Sequence, residues 1–110
     1  MRCPKCNTRE LVATRVRGIE VDQCPACHGI WFDESELAAL LQAEPSELKP
    51  LTRGRTDPGS DQQKGACPRD GRLLMRVHST RNPRLVVDVC PGCRGLWLDG
   101  GELTALLQTR

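Results

Sequence analysis

The 110-residue chain is poor in aromatic residues, in long apolar runs and in net charge. It has no tyrosine, one phenylalanine and two tryptophans, so it offers few rings on which unpaired bases could stack. Its longest apolar run, Leu37 to Leu41, is far shorter than the roughly 20 residues of a membrane-spanning helix. The formal net charge is only +2. We therefore expect no membrane partner, and no small-molecule substrate is evident.

Cysteine, by contrast, is abundant. An odd number of cysteines, seven, cannot form a complete set of intramolecular disulfides. The start of the chain, Met1-Arg2-Cys3, opens no apolar stretch of the signal-peptide type. These two observations predict a cytoplasmic protein whose cysteines are reduced and free to bind metal.

The chain contains one motif twice. Twelve of nineteen positions are identical between residues 24–42 and residues 90–108. Each block follows an upstream knuckle, Cys3-Pro4-Lys5-Cys6 in the first copy and Cys67-Pro68-Arg69-Asp70 in the second. We predict one domain over residues 1–43, a second over residues 66–110, and a flexible linker over residues 44–65 that holds three prolines and three glycines. Units of this size usually need a metal to fold.

Each unit is expected to hold a β-hairpin followed by a helix. The predicted strands are Leu11 to Arg17 and Ile19 to Gln23 in the first unit, and Leu73 to His78 and Leu85 to Val89 in the second. Each helix should begin at an N-cap aspartate, Asp33 or Asp99, with a glutamate three residues later. Leucines then recur at i, i+3 and i+4, which predicts one apolar stripe per helix.

The first unit carries a strong zinc-site pattern. Two Cys-x-x-Cys pairs are separated by 17 residues, and two residues between ligands let a tight turn aim both sulfurs at one ion. We predict that four cysteines bind zinc: Cys3, Cys6, Cys24 and Cys27. A redox dithiol would open directly into a helix of a βαβ unit, whereas here the helix begins six residues after the last cysteine. Iron stays an alternative, because knuckles alone do not select the metal.

The second unit has an aspartate where the first has a cysteine. Its predicted ligands are Cys67, Asp70, Cys90 and Cys93, since a carboxylate also binds zinc. His78 is a competing fourth ligand, and a water at an open fourth position is another alternative. His28 follows a ligand, but its counterpart Arg94 cannot bind a metal, so we expect His28 to be an exposed turn residue.

The pattern of the second knuckle resembles a known family. CPxC, a hairpin and then CPxCxGhWhDxxEL, with h apolar, are similar to the transcription-factor-IIB-type zinc-ribbon domain of small bacterial proteins. The resemblance covers both units, and it implies that the seven cysteines are zinc ligands. Residues and resemblance together predict a small metal-stabilised α+β protein of two tandem zinc ribbons. Each ribbon would comprise two zinc knuckles, a β-hairpin and a C-terminal helix, and the protein would bind two zinc ions.

Two classes of binding function remain open, and an enzyme is not expected. The first is a module that binds nucleic acid or the transcription apparatus through arginines at the two hairpin tips: Arg15, Arg17, Arg76, Arg81 and Arg84. Against it, ligand thiolates and zinc would lower the net charge from +2 to about −1. The alternative is a protein-interaction adaptor that docks partners on the leucine faces of its helices. Trp31 and Trp97 are expected to cover the knuckles and close a small core.

Overall fold

The structure is a computed structural model that describes residues 1–6, 9–16, 18–42, 48, 51–52, 65–79 and 81–108. Six strands and two helices lie in this part of the chain. In chain order they are β1 (Val12–Val16), β2 (Ile19–Gln23), β3 (Ile30–Phe32), α1 (Glu36–Leu40), β4 (Met75–His78), β5 (Val86–Val89), β6 (Leu96–Leu98) and α2 (Glu102–Gln108). The small α+β fold with two repeated units is as predicted.

Both predicted hairpins form. Strand β1 pairs antiparallel with β2, and Gly18 in the turn has a φ of 77°, a conformation that glycine adopts without a Cβ penalty. Strand β4 pairs antiparallel with β5 in the second unit. Strands β1 and β5 begin one residue later than predicted and β4 two residues later, within the usual uncertainty of strand ends.

A third strand in each unit joins the two units, and the sequence did not predict it. Strand β3 pairs antiparallel with β6, and Trp31 stands opposite Trp97 at the centre of the ladder. The strand order is β1-β2-β3-β6-β5-β4, so the two repeats form one six-stranded sheet with an approximate two-fold axis between the tryptophans. The relative placement of the units, which the sequence left open, is therefore fixed by main-chain hydrogen bonds.

The two faces of this sheet carry different chemistry. Side chains alternate across a strand, so Ile30 and Phe32 join an apolar cluster with the helix leucines, while Trp31 joins a cluster that contains the buried cysteines. Strand β6 repeats the arrangement with Trp97 on the cysteine side. The metal knuckles lie on one face of the sheet and the helices on the other.

The helix starts differ from the predicted capping box in one respect. The Glu36 carboxylate accepts a hydrogen bond from the Asp33 backbone N–H at 2.7 Å, as predicted, and Glu102 does the same for Asp99 at 2.7 Å. The Asp33 carboxylate, however, makes no side-chain cap to α1 and accepts instead from the Trp31 indole at 3.2 Å. The prediction of Asp33 as a side-chain N-cap was wrong, because an indole and a cation of the other unit compete for the same oxygens.

The leucine stripes of both helices pack into a core that the two units share. Leu40, Leu103 and Leu106 are buried in one cluster with strand residues from both repeats. Leu48 and Leu51, the only large apolar residues of the predicted linker, are also fully buried in that cluster. Most of the linker lies outside the described residues, so its flexibility and the two domain boundaries stay predictions. Within the described ranges, neither helix is long and apolar enough to cross a membrane.

Candidate metal centres

The first knuckle pair brings four sulfurs together. The ligand atoms of Cys3, Cys6, Cys24 and Cys27 all lie within 4.8 Å of one another. The Sγ–Sγ distance is 3.7 Å between Cys3 and Cys27 and 3.8 Å between Cys6 and Cys24. Four sulfurs held tetrahedrally at about 2.3 Å from a zinc ion are about 3.8 Å apart, whereas a disulfide would bring them to about 2.0 Å. The donor set therefore fits one tetrahedral metal ion.

Backbone N–H groups point at these sulfurs, as a knuckle requires. The Cys6 N–H lies 3.3 Å from the Cys3 sulfur, and the N–H groups of Ala26 and Cys27 lie 3.4 and 3.5 Å from the Cys24 sulfur. Such bonds stabilise the thiolate form. Burial nevertheless raises the pKa of the Cys6 thiol to about 11. The crowded site thus gains its thiolates together with a cation.

The second knuckle pair repeats this geometry with one carboxylate. Cys67, Asp70, Cys90 and Cys93 form the second group of converging ligand atoms. The sulfurs of Cys67 and Cys93 are 3.6 Å apart, and the Asp70 Oδ2 is 3.3 Å from the Cys90 sulfur. A zinc ion with one oxygen and three sulfur ligands would place oxygen and sulfur about 3.6 Å apart. The predicted ligand set is thus assembled around one point.

Asp70 is held at this site by its own turn. Its Oδ1 accepts a hydrogen bond of 3.0 Å from the Arg72 N–H, and this bond lowers the pKa of the Asp70 carboxyl. Gly71 between them has a φ of 78°, the left-handed turn expected after a second knuckle ligand. Asp70 is exposed, while Cys67 and Cys90 are buried. The second site therefore opens to solvent on its carboxylate side.

Neither histidine belongs to a ligand group of the described residues. His78 is exposed on β4, and its Nδ1 donates to the Pro83 carbonyl at 2.8 Å across the hairpin end. His28 has a φ of 64°, the same value as its counterpart Arg94. His28 is thus a turn residue, as predicted, although it is half-buried rather than exposed.

The tryptophans lock the two metal-binding units together. Both indoles are completely buried among the cysteines, which confirms a core role. Each ring covers a glycine of the opposite unit: a Cβ at Gly29 would overlap the Trp97 ring, and one at Gly95 would overlap the Trp31 ring. Each indole Nε1 also donates to an aspartate two residues on, at 2.8 Å from Trp97 to Asp99. The interface is therefore reciprocal and depends on two glycines.

Three cations of the described residues face carboxylates across the same interface: Lys5 is buried, whereas Arg69 and Arg94 are exposed. Lys5, inside the first knuckle of unit one, is buried and lies 3.3 Å from Asp88 and 3.5 Å from Asp99 of unit two. Its counterpart Arg69 contacts Asp33 of unit one, with Nη2 at 2.5 Å from Oδ2. The Arg69 guanidinium lowers the pKa of Asp33.

These interface residues were missed at the sequence level, but the repeat contained a signal for them. A cation stands at the third position of both first knuckles, an aspartate precedes both second knuckles by two residues, and a glycine stands two residues before both tryptophans. Positions that carry the same type of residue in both copies and bind no metal are candidates for contacts between the units. Their role became visible only when β3 and β6 were paired.

The predicted nucleic-acid contacts do not form one surface. The hairpins that carry them lie at opposite edges of the sheet. Arg15 lies 3.3 Å from Glu20, and Arg76 is half-buried at 3.9 Å from Asp88. Arg81 Nε donates to the Leu106 carbonyl at 3.0 Å, and Arg84 is exposed. Arg17 lies outside the described residues.

Fold and sites together define a zinc-ribbon protein with two converging ligand groups. A family model described as transcription factor zinc-finger matches residues 2–43 and 66–109, in two separate segments. The chain therefore belongs to this zinc-ribbon family and carries two tandem copies of the domain. No curated protein and no solved structure matches the chain significantly. The family match and the two ligand groups together indicate two zinc ions per chain.

Proposed function

We propose that this protein is a zinc-stabilised docking module for another protein, with a binding role rather than a catalytic one. Zinc, when bound, cross-links each pair of knuckles and holds the shared sheet. The observation that carries the proposal is an open groove of about 320 Å³ on the helix face of the sheet. Helix α1 of unit one lines one wall, and the strands of unit two line the floor.

The groove has the composition of a protein-binding surface. Its aliphatic lining consists mainly of Leu37, Leu41, Val77, Val87, Val89 and Leu96, of which only Val87 is fully buried. Half-exposed aliphatic side chains gathered in a concave patch are typical of interaction sites. Because the groove is formed by both repeats, the pairing of β3 with β6 is required for it. The metal sites would thus support binding by fixing the scaffold.

Nucleic-acid binding is the second candidate, and its support is the charge of the second unit. Residues 66–110 carry a formal charge of +3, against −1 for residues 1–43, and Arg81 and Arg84 are exposed at the hairpin end. The description of the family as transcription factor zinc-finger also favours it. Three of the four described arginines, however, are engaged in contacts within the chain. We rank docking of a protein above it.

Photo-crosslinking in the source cell tests the choice. A photoreactive amino acid at Ala38, which lines the groove, is compared with the same residue at Ala39, which is also exposed on α1 but does not line it. A discrete protein adduct from position 38 and none from position 39 is the expected result. Recovery of nucleic acid instead, weakening steeply with salt, would replace the proposal by the second candidate.

A further inference from the structure

The sheet has an approximate two-fold axis, so the open groove has a twin on the other half of the molecule. Val87 and Val21 are equivalent because each lies three residues before the first cysteine of a second knuckle. Val77 pairs with Val87 and Thr14 pairs with Val21, so Val77 and Thr14 occupy equivalent positions in the two hairpins. In the same way Leu37 and Leu41 correspond to Leu103 and Leu107. The twin is therefore expected over β1, β2 and α2.

The twin is covered, whereas the groove is not. Leu103 and Leu107 are buried at 2% and 8% exposure, while their equivalents Leu37 and Leu41 are only half-buried. Ile30 at 2% exposure likewise corresponds to half-buried Leu96. The apolar cluster that contains these twin residues also contains two residues from outside both repeats, Leu48 and Leu51, at 0% and 2% exposure. The cluster extends to residues of both halves, but neither leucine lines the open groove. From this and from the deeper burial of the twin residues we infer that Leu48 and Leu51 contribute to the cover of the twin.

The open groove is also the more apolar of the two. Val77 stands where the twin has Thr14, and Val89 stands where the twin has Gln23. Both valines line the groove. An open surface would be expected to gain polar residues relative to a covered one, but the opposite is found. The two half-buried valines therefore offer further apolar surface to an incoming segment.

The side chains at the rim of the groove indicate which charge a bound segment should carry. Arg81 and His78 line it, and no carboxylate is found among the lining residues of the described chain. Arg84, in the same hairpin end, is exposed as well. Leu48 and Leu51 follow Glu44 and Glu47 in the sequence. A segment with carboxylates beside its aliphatic residues would complement this rim.

We propose that the groove binds a partner-protein segment with two large aliphatic residues three positions apart, flanked by carboxylates. The segment packs its aliphatic pair between α1 and β4–β6, in the arrangement inferred for Leu48 and Leu51 on the other half. This proposal rests on the docking function proposed above and adds to it the chemical class of the partner. A partner of another class could dock in the same groove, so the two proposals can fail separately.

A peptide with the sequence of residues 44–52 of this chain, capped at both ends, is the probe. It is titrated into the zinc-loaded full chain while backbone and methyl chemical shifts are recorded. We expect saturable 1:1 binding with shifts at Val77, Val89 and Leu96, and loss of binding when both peptide leucines are alanine. Shifts confined to the twin, around Val21 and Leu103, or no shifts at all, would overturn the proposal, as would concentration-dependent self-association through this face.

Two adjacent alanines give a matched test of the charge argument. Ala38→Glu places a carboxylate on the groove wall, and Ala39→Glu makes the same change beside it on the exposed surface of α1. Peptide binding should weaken at least ten-fold in Ala38→Glu, strengthen in Ala38→Lys, and stay within two-fold of wild type in Ala39→Glu. Zinc content verifies folding of each variant. Equal effects at both positions would refute the groove, and a crosslinked partner without peptide binding would refute only the class of segment.

Discussion

Two equivalent cations at the unit interface, Lys5 and Arg69, should differ greatly in their contribution to stability. Lys5 and Arg69 occupy equivalent positions in the two first knuckles, and each faces carboxylates of the opposite unit. Their side chains are 2% and 46% exposed, respectively. The approximate symmetry of the molecule therefore supplies two versions of one ion pair that differ in burial. We predict that Lys5→Ala is severely destabilising and that Arg69→Ala is not.

The magnitude follows from what each substitution leaves behind. Without Lys5, Asp88 and Asp99 lose the cation that lies between them, and both are buried. Breaking a buried ion pair by removing one partner costs about 3–5 kcal/mol. Arg69 is exposed, and an exposed ion pair contributes about 0–1 kcal/mol. We thus expect the free energy of unfolding to fall at least three times as far in Lys5→Ala as in Arg69→Ala.

Urea unfolding of the zinc-saturated protein, followed by tryptophan fluorescence, measures both values. Because Lys5 lies between Cys3 and Cys6, the zinc content of each variant is counted first, so that loss of metal is not mistaken for loss of the ion pair. Lys5→Met keeps the aliphatic stem and removes only the charge. If Lys5→Met and Arg69→Ala cost the same with two zinc ions bound, the buried charge is not what stabilises the interface.

Three further predictions concern the metal sites and the interface. Zinc affinity should fall on acidification by about four decades per pH unit at the first site and about three at the second. Burial raises the thiol pKa of Cys6 to about 11 and of Cys67 to about 12, so these thiols must lose a proton when zinc binds. The pKa of Asp70 is lowered, so its carboxylate is already ionised and releases no proton. Competition titrations that give the same slope of zinc affinity against pH at both sites would contradict this. Asp70→Ala should retain only one tightly held zinc ion by native mass spectrometry, and retention of two would remove Asp70 from the ligands. Gly29→Ala should lower the free energy of unfolding by more than the 1–3 kcal/mol of ordinary overpacking, because an indole fills the space. Gly18→Ala should lower it by only about 1 kcal/mol through backbone strain, and similar losses of both variants in thermal unfolding would refute the packing argument.

The sequence predicted those features that depend on local spacing. The knuckles are recognisable in the sequence because the two residues between ligands fix how close the ligands can lie. The hairpin turn is predictable because glycine can adopt the positive φ that Gly18 has in the structure. The helix stripes follow from a period that any amphipathic helix must obey. What these features share is that each is specified within about ten residues of chain.

The interface was not predictable in this way. Strands β3 and β6 have three residues each, too short for a pattern of alternation, and each is completed only by the other. The burial of Lys5 depends on Asp88 and Asp99, more than eighty residues away in the sequence. Asp33 likewise was assigned a local role as a cap, because its true partner, Arg69, belongs to the other unit. Long-range partners of this kind become visible only once the sheet is assembled.

Fusion of two ribbons in one chain allows the halves to differ, and here they differ both in their metal ligands and in the exposure of the helix face. In a symmetric dimer of identical ribbons, a carboxylate at one fourth ligand position would appear in both metal sites, and both grooves would be open or both covered. In this chain one site keeps four cysteines and the other accepts Asp70. On the helix face, Leu103 and Leu107 are buried on one half, while the other half stays open and carries Val77 and Val89. The proposed binding surface thus combines α1 of the first repeat with the strands of the second, more basic repeat.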